Sequence, residues 1–212
     1  MNKGAVMAGR LIVVFFYLVG IAGILMDATR PYFVLLIPFA LLFNAAMLFV
    51  YKKTKVGLKD SLVFVFVFLA GFGIEVLGVH TGAVFGSYSY GNSLGFKLFD
   101  VPLIIGVNWL VLSYSVADLF NGTRLNILIQ SVLGAFLLVF FDLFLEVAAP
   151  ALNMWSWMGN KVPVQNYLAW FVLSFVFIFL FKILKIGTRN PLSAVVYFSQ
   201  LIFFVLLALL KP

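Results

Sequence analysis

Seven apolar runs, at about 10–26, 31–51, 59–79, 99–119, 124–147, 163–186 and 191–210, constrain this chain more than any other feature. An α-helix needs roughly 20 residues to cross a hydrocarbon core about 30 Å thick. The runs meet that length, and they predict an all-α, polytopic membrane bundle of about seven transmembrane helices. Residues 1–212 read as a single transmembrane domain. Apolar residues make up 65% of the chain and charged residues 10%. A soluble domain is nearer half apolar and a quarter charged, so a soluble enzyme is excluded, as is intrinsic disorder. The breaks carry turn chemistry: Thr29-Arg30-Pro31, Asn121-Gly122 and Gly187-Thr188-Arg189-Asn190-Pro191. The alternate spacing of Phe64, Phe66 and Phe68, and of Phe175, Phe177, Phe179 and Phe181, would suit a strand, but the length of the surrounding runs favours helix. The first run follows Lys3 and Arg10; with no small-x-small cleavage site after it, an uncleaved first helix is expected.

The net charge of +7 would suggest nucleic acid in a soluble domain. Here the basic residues lie between apolar runs, and topology explains them, so no nucleic-acid partner is expected. With seven spans, Lys3, Arg10, Lys52, Lys53, Lys55, Lys59, Arg124, Lys182, Lys185 and Arg189 fall on the N-terminal side. Arg30, Lys97, Lys161 and Lys211 fall on the other. The bias predicts a cytoplasmic N-terminus and outward-facing loops at 80–98 and 148–162, the two longest and the richest in Gly, Tyr and Trp.

Asp60 and Asp118 fall at inner helix ends and Asp27 in the first outer turn, which suits solvated interface residues. Glu75, Asp100, Asp142 and Glu146 all fall in the outer third of the membrane. Glu75 lies about 6 Å below the exit of its helix, Asp142 about 7 Å below, and Glu146 at the rim. Asp142 and Glu146 stand one turn apart, with Cβ atoms roughly 6 Å from each other. Two carboxyls this close in dry surroundings resist joint ionisation, which supplies an acid and a base in one place. Intramembrane acids are expensive and are read as functional by default, although interhelical hydrogen bonds or pairing with Lys97 or Lys161 would also account for them. There is no cysteine and the lone histidine is His80, so thiolate and histidine-rich metal centres are excluded; no metal and no cofactor is expected.

Asn108 with Trp109, and Gln165 with Asn166, lie at similar depth and suit water positioning or ordinary interhelical bonding. Trp155 and Trp157 flank Ser156, as an interfacial belt or as a π surface for a cationic intermediate. Tyr88 and Tyr90 alternate with Ser87 and Ser89, which predicts a short hairpin or a re-entrant segment over the bundle. His80 at a helix end suits a structural role, with a substrate-binding role as the alternative. The glycines of this loop form no phosphate-binding motif.

These residues carry a resemblance. Glu75-x-x-Gly78, Thr81-Gly82-x-x-Phe85-Gly86-x-Tyr88-x-Tyr90, Leu94-Gly95, Val101-Pro102-Leu103 and Trp109 are followed by Asp142-x-x-x-Glu146, Trp155-Ser156-Trp157, Val162-Pro163, Asn166 and Trp170. The ordered set, over about residues 70–172, resembles the carotenoid biosynthesis family that contains carotenoid hydratases of the CruF type. Val147 stands where that pattern has proline, and Asp100 where it has a small residue, so Asp100 is set aside as a catalytic group.

The resemblance implies a cofactor-independent hydratase in the cytoplasmic (inner) membrane of a prokaryote. It would add water to the terminal double bond of an acyclic, lycopene- or gamma-carotene-like end that enters from lipid. Such an alkene needs a desolvated neutral acid, a sheltered tertiary cation and a placed water. Glu75, Asp142 and Glu146 are the catalytic candidates. Tyr88, Tyr90, Trp109, Trp155, Trp157, Asn108, Asn166 and His80 are the substrate-binding candidates. A carotenoid end-group cyclase shares the protonation step, but the Pro-x-Glu-Glu/Asp motif of small membrane cyclases is missing. A non-catalytic carotenoid- or retinal-binding protein is the rival from another class; a Schiff base would need a lysine midway along the last helix, and Lys211 lies at its end. A transporter would show repeats and interrupted helix pairs.

Overall fold

The computed structural model describes residues 2–210. Lys211, counted above among the outward basic residues, lies outside the described residues. Eight helices form the described bundle: α1 (Lys3–Leu25), α2 (Arg30–Leu35), α3 (Ile37–Tyr51), α4 (Leu58–Thr81), α5 (Ile104–Leu119), α6 (Ile127–Ala148), α7 (Val164–Ile183) and α8 (Ser193–Leu210). Five of them, α1, α4, α6, α7 and α8, are long and apolar enough to cross a membrane; α3 and α5 are apolar but shorter. Large apolar side chains such as Leu11, Phe15, Leu69, Phe136 and Leu168 stand exposed on the outside of the bundle. That is the surface of a membrane protein, because such an apolar exterior is unsustainable in water.

Two of the expected spans differ. The run at 31–51 is not one helix: it breaks at Leu36 into α2 and α3. Pro38 has no N–H to give the Val34 carbonyl and its ring crowds that carbonyl, so the helix restarts. The run at 99–119 turns helical only at Ile104. Its first residues form a hairpin in which β2 (Lys97–Leu98) pairs with β3 (Val101–Pro102). The two loop residues, Phe99 and Asp100, have φ of 51° and 62°, the positive pair that a tight two-residue hairpin requires.

The short helix α5 is central. It packs against α3, α4, α6, α7 and α8, and 11 of its residues are buried. A helix that is apolar all round belongs inside a bundle. It meets α4 closely at Gly71, where an added Cβ would come within 2.8 Å of Trp109. Gly82 then ends α4 with φ of 64°, donating its N–H to the Gly78 carbonyl.

The bundle end remote from Glu75 is tied by polar contacts. Asp60 pairs with Lys52 at 3.4 Å, and its carboxyl is only 14% exposed. Asp118 accepts the Asn190 N–H at 3.0 Å and an Asn121 amide N–H at 2.6 Å. Both were expected to be solvated. The chain after α7 folds back over this end, with the Lys53 N–H on the Arg189 carbonyl and the Asn190 amide on the Leu48 carbonyl, and it covers them in part.

Gly71→Ala is expected to lower stability by about 1–3 kcal/mol in thermal unfolding in detergent, because the Trp109 seat is overpacked. Gly73→Ala, whose added methyl would meet nothing within 4 Å, is expected to change stability by less than about 1 kcal/mol, in the stabilising direction.

Candidate active site

The site is closed by two short strands that come from different loops. β1 (Tyr88–Tyr90) follows α4, and β4 (Trp155–Trp157) follows α6; they pair antiparallel, Tyr88 with Trp157, Ser89 with Ser156 and Tyr90 with Trp155. The Tyr/Ser alternation therefore marks a strand, but its partner is the Trp-Ser-Trp segment rather than a neighbouring arm of its own hairpin. Period-two geometry sends Ser89 and Ser156 outward and turns the four aromatic rings inward. Tyr88 stacks obliquely on Trp157 at 5.0 Å, and Tyr90 meets Trp155 edge-on at 5.9 Å.

Beneath this aromatic lid lie three buried carboxyls, Glu75 from α4 and Asp142 and Glu146 from α6. Glu75 Oε2 accepts the Tyr88 hydroxyl at 2.6 Å and the Tyr90 hydroxyl at 2.8 Å, while its Oε1 accepts the Trp109 indole N–H at 3.0 Å. Glu146 Oε2 accepts the indole N–H groups of Trp155 at 3.0 Å and Trp157 at 2.6 Å. The Asn166 amide, from the first turn of α7, donates to Asp142 Oδ2 at 2.7 Å and to Glu146 Oε1 at 3.2 Å. Asp142 Oδ1 is buried and has no hydrogen-bond partner among the described residues. Glu75 and Glu146 thus hold three donors each and Asp142 holds one. Burial, together with the adjacent Glu75 carboxyl, pushes the Tyr88 and Tyr90 phenols above their ordinary range, so both remain O–H donors.

A cavity of about 30 Å³ sits among these groups. Glu75, Glu146, Asn108, Asn166 and the lid rings line it, and Asp142 lies behind Asn166, outside the lining. The cavity has room for about one or two waters. The Asn108 Oδ1 atom, on its wall, is buried without a partner among the described residues.

Glu75, Asp142, Glu146, Tyr88, Tyr90, Trp109, Trp155, Trp157, Asn108 and Asn166 are thus brought together. His80 is not. It sits half-exposed on the rim, 3.3 Å from the Phe99 carbonyl and 3.8 Å from the exposed Asp100. Gln165 points elsewhere too, bonding the Gly82 and Ala83 carbonyls that cap α4. Lys97 donates to the Tyr90 carbonyl at 2.7 Å, and among the described residues no basic side chain pairs with the three carboxyls. Trp170 and Phe85 also line the cavity and were not among the candidates. Trp170 lies over Trp109 at 4.4 Å. Its position one turn after Asn166 was the available signal.

Tyr88→Phe and Tyr90→Phe are each expected to lower stability by about 1–3 kcal/mol, because a buried carboxyl loses a donor. In a double-mutant cycle with Glu75→Gln, the effects are expected to be non-additive in thermal unfolding.

A model of a family described as carotenoid biosynthesis protein matches residues 36–211. A curated protein of Haloarcula japonica named bisanhydrobacterioruberin hydratase is 34% identical over 172 residues, covering 75% of this chain and 57% of that protein. The match thus spans less than two thirds of the relative's own length. No solved structure matches the chain. The family match runs through every residue of the carboxyl cluster and its lid, and with the relative it shows that this chain belongs to the carotenoid biosynthesis protein family.

Proposed function

We propose that the protein is a carotenoid hydratase, adding water across the terminal double bond of an acyclic, lycopene- or gamma-carotene-like end. The observation that carries this reading is a set of three buried carboxyls that pair with no cation among the described residues, two of them lining, with indole and phenol rings, a cavity sized for water. The hydratase name of the relative supports it. The seven apolar segments are taken as seven spans with a cytoplasmic N-terminus, in a prokaryotic inner membrane. The cluster then lies near the outer surface, and the polyene enters from lipid.

Three like charges buried together oppose joint ionisation, so the set holds protons. The donor count makes Asp142, with one donor and a bare oxygen, the proton store. Glu146 lines the cavity, shares Asn166 with Asp142, and delivers the proton to the less substituted alkene carbon. The π electrons form the new C–H bond, and the tertiary cation is sheltered by the rings and by Glu75. Water attacks the cation, and Glu75 takes the proton that this water releases. That proton returns to Asp142 through the carboxyl set and cavity water, so only water is consumed. Asn108 orients the attacking water. No step calls for a metal or a redox cofactor.

Asp142→Asn, Glu146→Gln and Glu75→Gln are each expected to reduce hydrated product by about 10²–10⁴-fold in a carotene-accumulating host, with the protein still inserted. Full activity in Asp142→Asn would remove the proton store. Turnover in D2O is expected to leave one carbon-bound deuterium per added water. In ordinary water, a product of unchanged mass would instead indicate cyclisation.

A further inference from the structure

A second space lies beside α8. It is a groove of about 320 Å³ between α1, α2, α3 and α8, and it shares no lining residue with the carboxyl cavity. Its rim residues Val19, Leu36 and Phe39 are exposed on the apolar exterior, so it opens toward lipid. Ile24, near the end of α1, and Leu152, on the loop after α6, place it at the same end of the bundle as the carboxyls. Phe141, the neighbour of Asp142 in sequence, meets Phe204 of the groove edge-on at 5.5 Å.

One group does not belong in a purely hydrocarbon groove. Gln200 is 1% exposed and lines it, and neither its Oε1 nor its Nε2 has a partner among the described residues. Tyr17 also lines the groove, but its hydroxyl is already engaged by the Asn44 amide at 2.5 Å. A buried primary amide left bare is costly, so a site that carries one is built for a ligand that completes it. A hydrocarbon satisfies neither atom of the amide, and a carbonyl satisfies only the N–H. A hydroxyl satisfies both, donating to Oε1 and accepting from Nε2. The faces of Phe16, Phe33, Phe203 and Phe204 suit a flat, unsaturated chain.

We propose that this groove binds a lipophilic isoprenoid alcohol, with the hydroxyl on Gln200 and the chain along the phenylalanines. The identification of that alcohol as a hydrated polyene, the product of the carboxyl site, rests on the proposed function; the groove itself does not. On that reading it is a product-side site, distinct from the carboxyl cavity.

The test measures equilibrium binding to purified Asp142→Asn protein in detergent, so that turnover plays no part. The probes are a twenty-carbon isoprenoid alcohol and the alkene of the same skeleton. The alcohol is expected to bind about tenfold tighter. Gln200→Leu is expected to bring that ratio to about one while leaving alkene affinity unchanged. Gly20→Leu is expected to remove binding of both probes by filling the groove; its added Cβ would meet only Phe203, at an ordinary 3.5 Å, so the helix tolerates it. Equal affinity of the two probes, a preference that survives Gln200→Leu, or unaltered binding in a monodisperse Gly20→Leu protein would each overturn the proposal. Failure of the hydratase reading would show in product mass and leave this binding ratio untouched.

Discussion

Three carboxyl groups, buried with no cation beside them among the described residues, must take hydrogen bonds from somewhere, and the whole end of this bundle is arranged around that demand. The donors are two phenols, three indoles and one amide. They come from α5, from α7 and from both long loops. Neither loop is held at that depth by its own sequence. The pairing of β1 with β4 holds them together, and the alternation of each strand aims the rings down and the serines out. Unsatisfied carboxyls would be intolerable in so dry a place, so lid and cluster depend on each other.

The same groups suit the chemistry proposed for them. An aromatic side chain that donates an N–H or O–H from its edge also presents a π face, so one set of rings both anchors the carboxyls and turns π surface towards the cavity. The uneven distribution of donors differentiates three otherwise similar acids. Glu75 and Glu146 accept three donors each, while Asp142 accepts one and keeps a bare oxygen outside the cavity lining. Apart from the carboxyl cavity, the Gln200 groove repeats the theme with a different polar group in an apolar setting.

Much of this was legible along the chain. Run length alone identified the helices and overrode the alternating phenylalanines. Helical rise and alternating span direction brought Glu75 to the depth of Asp142, and one-turn spacing put Glu146 beside it. Local steric effects account for the departures: Pro38 splits the second run at Leu36, and the Phe99–Asp100 turn claims the start of the fourth. Asp60 and Asp118 are more covered than expected because the segment over them is remote in sequence; the Gly187 N–H reaches Asp60 at 3.4 Å. Trp170 belongs to the ordered motif set and stands one turn after Asn166, yet the apolar run around it offers no contrast to mark its indole as cavity-facing.

By itself the sequence determined the membrane class, the helical segments, the identity of the acids and rings, and the alternation that marks the Tyr88–Tyr90 strand. These follow from hydrophobic length, the 3.6-residue turn and the two-residue pleat, all of which are local. Only the tertiary structure decided that Tyr88–Tyr90 pairs with Trp155–Trp157, which ring serves which carboxyl, that Asn166 bridges Asp142 and Glu146, and that His80 stays on the rim. Those choices depend on how helices pack and on which donors reach a buried oxygen first. Contacts between residues some 70 positions apart leave no periodic trace in the chain that makes them.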